Sequence, residues 1–523
     1  MPHRPFPAGV TGDPSLIKVS IGMLGPGRYR CPARDALDAR PGLRPSAEVH
    51  DKAEALQNFP SGPFMRVLDL MEGNGRTRDA AFDAVLSCAS VHDSVKNWTI
   101  HAVTQYLAEF PVRSGDTVPY QGRAWRLKHE LRVPDARGAD EYRIGAWGRR
   151  YHSMDGRLRE LRLPVHRAGG RVRTDAEISV AACVLAAGEP GPLPERVRIR
   201  QFGMADGVSA LLFDGSRDSA LALYERAGKA ELAALVDRSH PLEYRPGSSC
   251  RDCSFAVVCP ALQKSPGLLG VRDRSRPRRA WSATSARNYE QCPAREYARR
   301  QRLPADQHVE RSDSAERGRA IHRYLEVKHA DSLVSCTPSV PKDWVPDEFV
   351  LTCEEQELGA LLLRNHAAVC PAPQATSMRV EPDLVYEDPD ADTVVLAKPD
   401  LLYHDGETWV WRETKTSRGR FSRSLSWFGR YPQLALAVAL ADTVPELGIE
   451  RIELEILRPA GADLLTFDPR NSEVRQLARE TVVKLFAPWH ADDQFVAVPG
   501  PHCRRCEVAR WCSARSTGVE AAS

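Results

Sequence analysis

Two kinds of hydrophobic pattern succeed each other twice along the chain. EISVAACVLAAG at 177–188 and YPQLALAVALAD at 431–442 have the dense small-apolar pattern of a buried helix, and each precedes an alternating run, RVRIRQF at 196–202 and RIELEIL at 451–457. Alternation is the mark of a strand with one face in a core. The segments ahead of these repeat as well: AWGRRYH (146–152) lines up with KPDLLYH (398–404), and RELR (159–162) with RETK (412–415). One ancestral unit, duplicated, accounts for the repetition.

The halves meet in LQKSPGLLGVRDRSRPRRA at 262–280, rich in Pro, Gly and Arg and without apolar periodicity, which predicts a linker or a basic strap. The expected organisation is a domain at 1–265, a basic linker at 266–280, a second domain at 281–515 and a tail at 516–523. In the second half the patterns predict helices over 282–300 and 314–329, strands over 378–387, 393–404 and 407–415, a helix over 431–442, a strand over 450–458 and a helix over 472–486.

Composition narrows the class. The 523 residues carry 72 Lys and Arg against 69 Asp and Glu, a net charge of +3, and 42% are hydrophobic, so the chain is globular and gives no global basic signal for nucleic acid. No run of about 18 apolar residues occurs and the N-terminal residues lack an apolar core, so the expectation is a cytoplasmic protein with no membrane partner. Thiols stay reduced in that compartment, and clustered cysteines there are metal ligands or catalytic groups rather than disulfides.

Eight of the 13 cysteines form two matching sets, Cys31, Cys250, Cys253 and Cys259, then Cys292, Cys503, Cys506 and Cys512. Each set has one cysteine in a CPAR tetrapeptide and a C-x2-C-x5-C triplet more than 200 residues later, so a shared ligand would clip the two ends of a domain together. Four thiolates suit an iron-sulfur cluster or a structural zinc. Cys88, Cys183, Cys336, Cys353 and Cys370 share no such spacing and are expected to be buried or incidental thiols.

Candidate chemistry lies in the second half. Asp400 is expected near the end of one strand and Glu413 with Lys415 on the next, and alternation points Glu413 and Lys415 to one face and Thr414 to the other. Two carboxylates from adjacent strands make a hard oxygen site for magnesium or manganese, and a lysine beside them orients water or stabilises charge on a phosphate. Gly318, His322 and Glu326 follow at four-residue spacing, which puts His322 and Glu326 on one helical face with His322 able to complete a metal shell. Only 11 of the 72 basic residues are lysines, so a lysine at 415 is itself informative. Glu381 and Lys398 lie on neighbouring strands, facing either the cleft or solvent.

The order G-x-x-x-H-x-x-x-E, a strand Asp, E-x-K, a glutamine-bearing helix and three closing cysteines resembles the RecB-type branch of the PD-(D/E)XK nuclease superfamily, over residues 282–515. Members with an iron-sulfur staple, the AddB-type subunits and the small CRISPR-associated exonucleases, are the most similar. The resemblance implies an α/β fold of two tandem restriction-endonuclease-like domains, each a mixed sheet flanked by helices and clipped by a four-cysteine cluster. It implies a metal-dependent deoxyribonuclease acting as an exonuclease on single strands or DNA ends, in repair, recombination or phage defence. His322, Asp400, Glu413 and the Thr414 carbonyl would hold Mg2+ or Mn2+, Lys415 would be the catalytic lysine, and the two cysteine sets would hold two 4Fe-4S clusters, with zinc as the alternative. Gln433 falls on the family's glutamine motif near the DNA, while Ala437 stands where the family usually has a tyrosine.

Partners follow from the same source: DNA, and a separate helicase or defence-complex subunit, because the chain has no G-x-x-x-x-G-K-[ST] phosphate loop. Arg418, Arg420 and Arg423, in one of three arginine-rich strips, are expected to follow a phosphate backbone. In the first half, Gly148 aligns with Asp400, Arg162 with Lys415 and Glu160 with Glu413, so that copy is expected to be catalytically dead. Asp79 and His101 are the two candidates for a counterpart of His322. The rival reading is a non-catalytic iron-sulfur subunit that binds DNA or scaffolds a nuclease-helicase complex.

Overall fold

The computed structural model describes residues 6–25, 31–46, 56, 58–111, 116–130, 138–238, 243–306, 309, 312–330, 333–419 and 426–515. Its elements sort into two units, one of Met1–Ala261 with Ala298–Pro304 and Trp511–Ser513, the other of Leu262–Tyr297, Ala305–Arg510 and Ala514–Ser523. The tail at 516–523 lies outside the described residues.

In the first unit β1 (Leu16–Ser20), β2 (Arg126–Glu130) and β3 (Glu141–Gly145) form a small sheet in which β3 is parallel to β1 and antiparallel to β2. The main sheet holds β4 (Arg149–His152), β5 (Leu158–Val165), β6 (Arg196–Gly203) and β7 (Ser209–Ser216), in the order β7-β6-β5-β4 with the short strand Val118–Pro119 at the edge. Helix α1 (Asp93–Glu109) precedes the main sheet and α2 (Asp175–Ala187) crosses from β5 to β6, which run parallel. Thr174 and Glu177 form a capping box that starts α2, and the crossover is apolar on nearly every side. Val180, Val184 and Leu185 of α2 pack on Leu161, Leu163, Val197 and Ile199. Each such fully buried side chain stabilises the unit by roughly 1.5–3 kcal/mol.

The second unit runs β8 (Arg279–Trp281), α3 (Ala283–Gln291), α4 (Asp313–Ala330), α5 (Cys353–His366), β9 (Ser377–Val380), β10 (Leu384–Asp388), β11 (Thr393–Ala397), β12 (Leu401–His404), β13 (Trp409–Thr416), α6 (Pro432–Thr443), β14 (Ile449–Arg458), β15 (Gly461–Phe467) and α7 (Ser472–Ala491). The main sheet has the order β9-β12-β13-β14-β15, with β13 antiparallel to β12 and parallel to β14. In the small sheet β11 is parallel to β8 and antiparallel to β10. Each unit is thus a mixed α/β structure with the same pairing pattern around its crossover helix.

Three expectations change. The helix expected over 282–300 stops at Gln291 and a separate helix, Pro293–Arg300, follows, because Pro293 cannot continue a helix but suits the start of one. The runs at 378–387 and 393–404 are not single strands: Pro382 and Pro399 break each in two, because proline has no N–H to give a ladder. The halves pair as one bent hairpin, Ser377–Val380 against Leu401–His404 and Leu384–Asp388 against Thr393–Ala397, that passes from the main sheet to the small one. The stretch expected to be a linker is seated in the second unit. Gln263–Lys264 pairs with β10, Leu268 and Leu269 are buried, and the Gly267 and Leu269 amides donate to the Asp388 carboxylate. Its arginines are engaged too, Arg278 with Glu387 and Asp392, and Arg279 with the His490 and Asp492 carbonyls.

Candidate active site

The bend at Pro399 delivers Asp400 to the mouth of the main sheet, one residue before β12. There the Thr414 amide donates to Asp400 Oδ2 at 2.8 Å, and Lys415 Nζ lies 2.9 Å from both Asp400 Oδ2 and Glu413 Oε2. His322 on α4 places Nδ1 3.4 Å from Asp400 Oδ1. Gly318, one turn earlier, faces the end of β13, where a Cβ would stand at an ordinary contact distance of 3.6 Å from Thr416 Oγ1. The four chemistry-bearing side chains therefore come together from one helix and two strands.

Their charges are mutually dependent. Burial works against the ionised form of Asp400, but Lys415 and His322 outweigh it and hold the carboxyl well below its usual range. Burial pushes Glu413 upward and the Asp400 charge adds to this, with Lys415 opposing. For Lys415 burial favours the neutral amine, yet the Glu413 and Asp400 carboxylates hold its pKa above the ordinary lysine value. His322 is likewise raised, the Asp400 carboxylate overcoming desolvation. Two hard carboxylates and one imidazole, with an ammonium as their present counter-charge, are a donor set that fits Mg2+ or Mn2+.

Residues outside the motif complete the site. Trp411, on the same face of β13 as Glu413, donates Nε1–H to Glu413 Oε1 at 3.0 Å. Arg287 on α3 is close enough for its charge to act on Glu413. The period-two spacing W-x-E-x-K was the signal for Trp411; nothing local marked Arg287. Glu326 is paired with Arg323 at 2.7 Å, and Glu381 with Lys398, while both glutamates join His322 and Asp400 in lining one cavity. Gln433 is half-buried in the first turn of α6, and Ala437 is fully buried, so a tyrosine there would have no room.

The arginine strip is altered by the fold. Arg418 is held by Glu354 at 3.1 Å and by Glu355, at the start of α5, which neutralises the cation expected on phosphate. Arg420 and Arg423 lie outside the described residues.

The first unit has a different register from the one its sequence alignment predicts. Arg149 pairs with Arg162 across β4 and β5, as Leu401 pairs with Arg412 across β12 and β13. Arg162 therefore corresponds to Arg412 rather than to Lys415, three residues away. A shared detail supports this: the Arg162 guanidinium lies 3.7 Å from the Tyr151 ring, and that of Arg412 lies 5.3 Å from the Tyr403 ring. The positions matching Asp400, Glu413 and Lys415 are then Gly148, Leu163 and Val165. A Cβ at Gly148 would meet the Arg162 carbonyl at 2.6 Å, so no aspartate fits there. Glu160 lies on the sheet face away from α2, ion-paired to Arg162 at 2.5 Å and Arg198 at 3.1 Å beside a cavity of about 310 Å3. Of the two candidates for a histidine counterpart, His101 bonds the Ala205 carbonyl and Asp79 is exposed.

The cysteine triplets share local structure. Each opens at a glycine, Gly247 or Gly500, runs through a short 3-10 turn holding Cys250 or Cys503, and closes with a second turn, Ala256–Val258 or Ala509–Trp511. Cys31, Cys250, Cys253 and Cys259 line one cavity. Arg34 of the first CPAR bonds the Ser249 and Asp252 carbonyls, and burial pushes Cys253 up to about 11 against the pull of Arg34. In the second set burial likewise pushes Cys506 up to about 11, Arg295 opposing and Cys292 adding to it. Cys503 shares that unit, while Cys512 falls in the segment grouped with the first.

Of the cysteines expected to be buried or incidental thiols, Cys183 and Cys370 are buried, Cys336 is half-buried and Cys88 and Cys353 are exposed; Cys336 and Cys370 lie close together. They gather with His329 and His366, the four ligand atoms lying within 4.8 Å of one another. Among the described residues this is the one such group of His, Cys, Asp and Glu, and the sequence pattern missed it because its members come from four separate places in the chain. The described residues include no helix long and apolar enough to cross a membrane.

Among solved structures the chain is similar to the crystal structure of SSO0001, at 14% identity over 45% of this chain and 87% of that one with a TM-score of 0.27. It is also similar to a "Putative exonuclease" from Eubacterium rectale, at 10% identity over 40% and 79% with a TM-score of 0.28. No curated protein matches the chain. Residues 280–513 match the family model of the PD-(D/E)XK nuclease superfamily.

Proposed function

We propose that the second unit hydrolyses DNA phosphodiester bonds as an exonuclease on single strands or duplex ends. The observation that carries this reading is the position of Lys415, 2.9 Å from each of two carboxylates in a superfamily nuclease domain. His322, Asp400, Glu413 and the Thr414 carbonyl would hold Mg2+ or Mn2+, and such an ion, when bound, supplies an acidified water and neutralises charge on the phosphate. The Thr414 amide and the Trp411 indole each hold one of the two carboxylates in place. Lys415, kept in its ammonium form by its neighbours, is suited to stabilising charge that develops on the phosphate oxygens.

The first unit is a retired copy of the same ancestral domain, serving binding or assembly. The two cysteine sets hold 4Fe-4S clusters, a reading supported by the cavity that Cys31, Cys250, Cys253 and Cys259 share and by the matching turns of the second triplet. Repair, recombination or phage defence is the expected setting, with a separate helicase supplying single strands. Intact Asp400, Glu413 and Lys415 disfavour a purely scaffolding role.

The test is manganese-dependent digestion of end-labelled linear and closed circular DNA by the full chain, with Lys415→Ala as control and iron and labile sulfide measured on the same sample. Release of short products from linear DNA alone, lost in the variant, is the expected result; no metal-dependent cleavage of either substrate would overturn the reading.

A further inference from the structure

We propose that His329, Cys336, His366 and Cys370 bind a single structural zinc ion within the second unit. His329 sits in the last turn of α4, His366 ends α5, and Cys336 and Cys370 lie in the segments that follow those two helices. His329 Nε2 is 3.3 Å from Cys336 Sγ and 3.6 Å from Cys370 Sγ. Zinc bonds of about 2.3 Å to sulfur and about 2.0 Å to nitrogen give a tetrahedron whose edges are roughly 3.3–3.8 Å. Both distances are edges of that size, and two thiolates with two imidazoles are a closed four-ligand shell for zinc.

His366 supplies the second observation. Its Nδ1 lies 2.6 Å from Glu455 Oε1, so Nδ1 is engaged by the carboxylate and Nε2 is the nitrogen left to face a ligand. Nε2 is buried with Cys370 as its polar neighbour and no hydrogen bond of ordinary geometry, an expensive arrangement for a polar atom unless something binds it. A carboxylate behind a histidine whose other nitrogen faces a cluster of ligands is the usual support for a metal-bound imidazole. The group is not the nuclease centre, but the two share a residue: Glu455 also accepts from Thr414 Oγ1 at 3.0 Å. The ion would therefore tie the ends of α4 and α5 to β14, behind the strand that carries Glu413 and Lys415.

A hydrogen-bonded thiol cluster or a Cys336–Cys370 disulfide are the competing states. The native full chain is treated with a thiol alkylator before and after a strong chelator, and the modified peptides are identified by mass spectrometry. Expected is labelling of Cys336 and Cys370 only after chelation, with release of zinc. Equal labelling before and after, or a recovered Cys336–Cys370 disulfide, overturns the proposal. Metal analysis of Cys336→Ser/Cys370→Ser should show one zinc per chain fewer than the unaltered protein, a difference insensitive to whatever the eight cysteines of the two matching sets hold; no difference overturns it. Should that variant be insoluble, Cys336→His loaded with cobalt keeps four donors, and its sulfur-to-cobalt absorption should weaken while the tetrahedral bands persist. An unchanged spectrum would exclude Cys336 as a ligand. Glu455→Gln should weaken zinc affinity about 10- to 100-fold.

Discussion

The two main sheets have the same strand order around a crossover helix, yet one gathers Asp400, Glu413 and Lys415 at its mouth and the other presents Gly148, Leu163 and Val165. Packing explains why the first sheet has no such site at these positions. Leu163 packs under α2 with the rest of the core, and Gly148 lies so close to β5 that any side chain would strike its backbone. What the two sheets keep in common is structural, an arginine against a tyrosine on the face away from the crossover helix. Packing is shared where the chemistry is not, because each sheet needs a filled core whether or not it carries a site.

The largest test of the contrast is Lys415→Ala, which should lower metal-dependent cleavage by about 10^3-fold, within the range for removal of a positioned charged catalytic group. Circular dichroism should be unchanged; full activity in the variant would abolish the distinction between the sheets. Glu160→Ala, the carboxylate that the sequence pairs with Glu413, should leave cleavage intact and lower stability by about 3 kcal/mol, because it strands buried Arg162. Denaturant unfolding measures the second effect, and a selective loss of cleavage would restore Glu160 to a catalytic role. Gly148→Ala should cost about 1–3 kcal/mol in the same assay through overpacking against β5. The smallest effect is expected for Arg418→Ala: with Glu354 and Glu355 already holding the guanidinium, the slope of log binding constant against log salt should change by well under the value of about 0.9 for one phosphate contact.

The candidate site was legible because its chemistry is confined to short motifs. A lysine among so many arginines, two residues after a glutamate on a strand, needs no tertiary information to place both side chains on one face. Register was not legible. RELR resembles RETK in letters, but hydrogen bonding sets Arg162 against Arg149, and a three-residue slip reverses which side chains meet the helix. Neither was the group at His329, Cys336, His366 and Cys370, whose spacing carries no repeat and whose members meet only because two helices end side by side.

The sequence by itself determined the elements that local chemistry dictates: the apolar crossover helices, the alternating strands, the E-x-K pair and the cysteine triplets. Tertiary structure alone decided where the prolines turned two strands into one bent hairpin, which placed Asp400 against Lys415. It also decided which residues of the first sheet stand in catalytic positions, and which two of five leftover cysteines come within reach of histidines. The division has one physical cause. Spacing along a helix or strand fixes neighbours a few residues apart, whereas neighbours dozens of residues apart are chosen by which strand edges pair and how the faces pack.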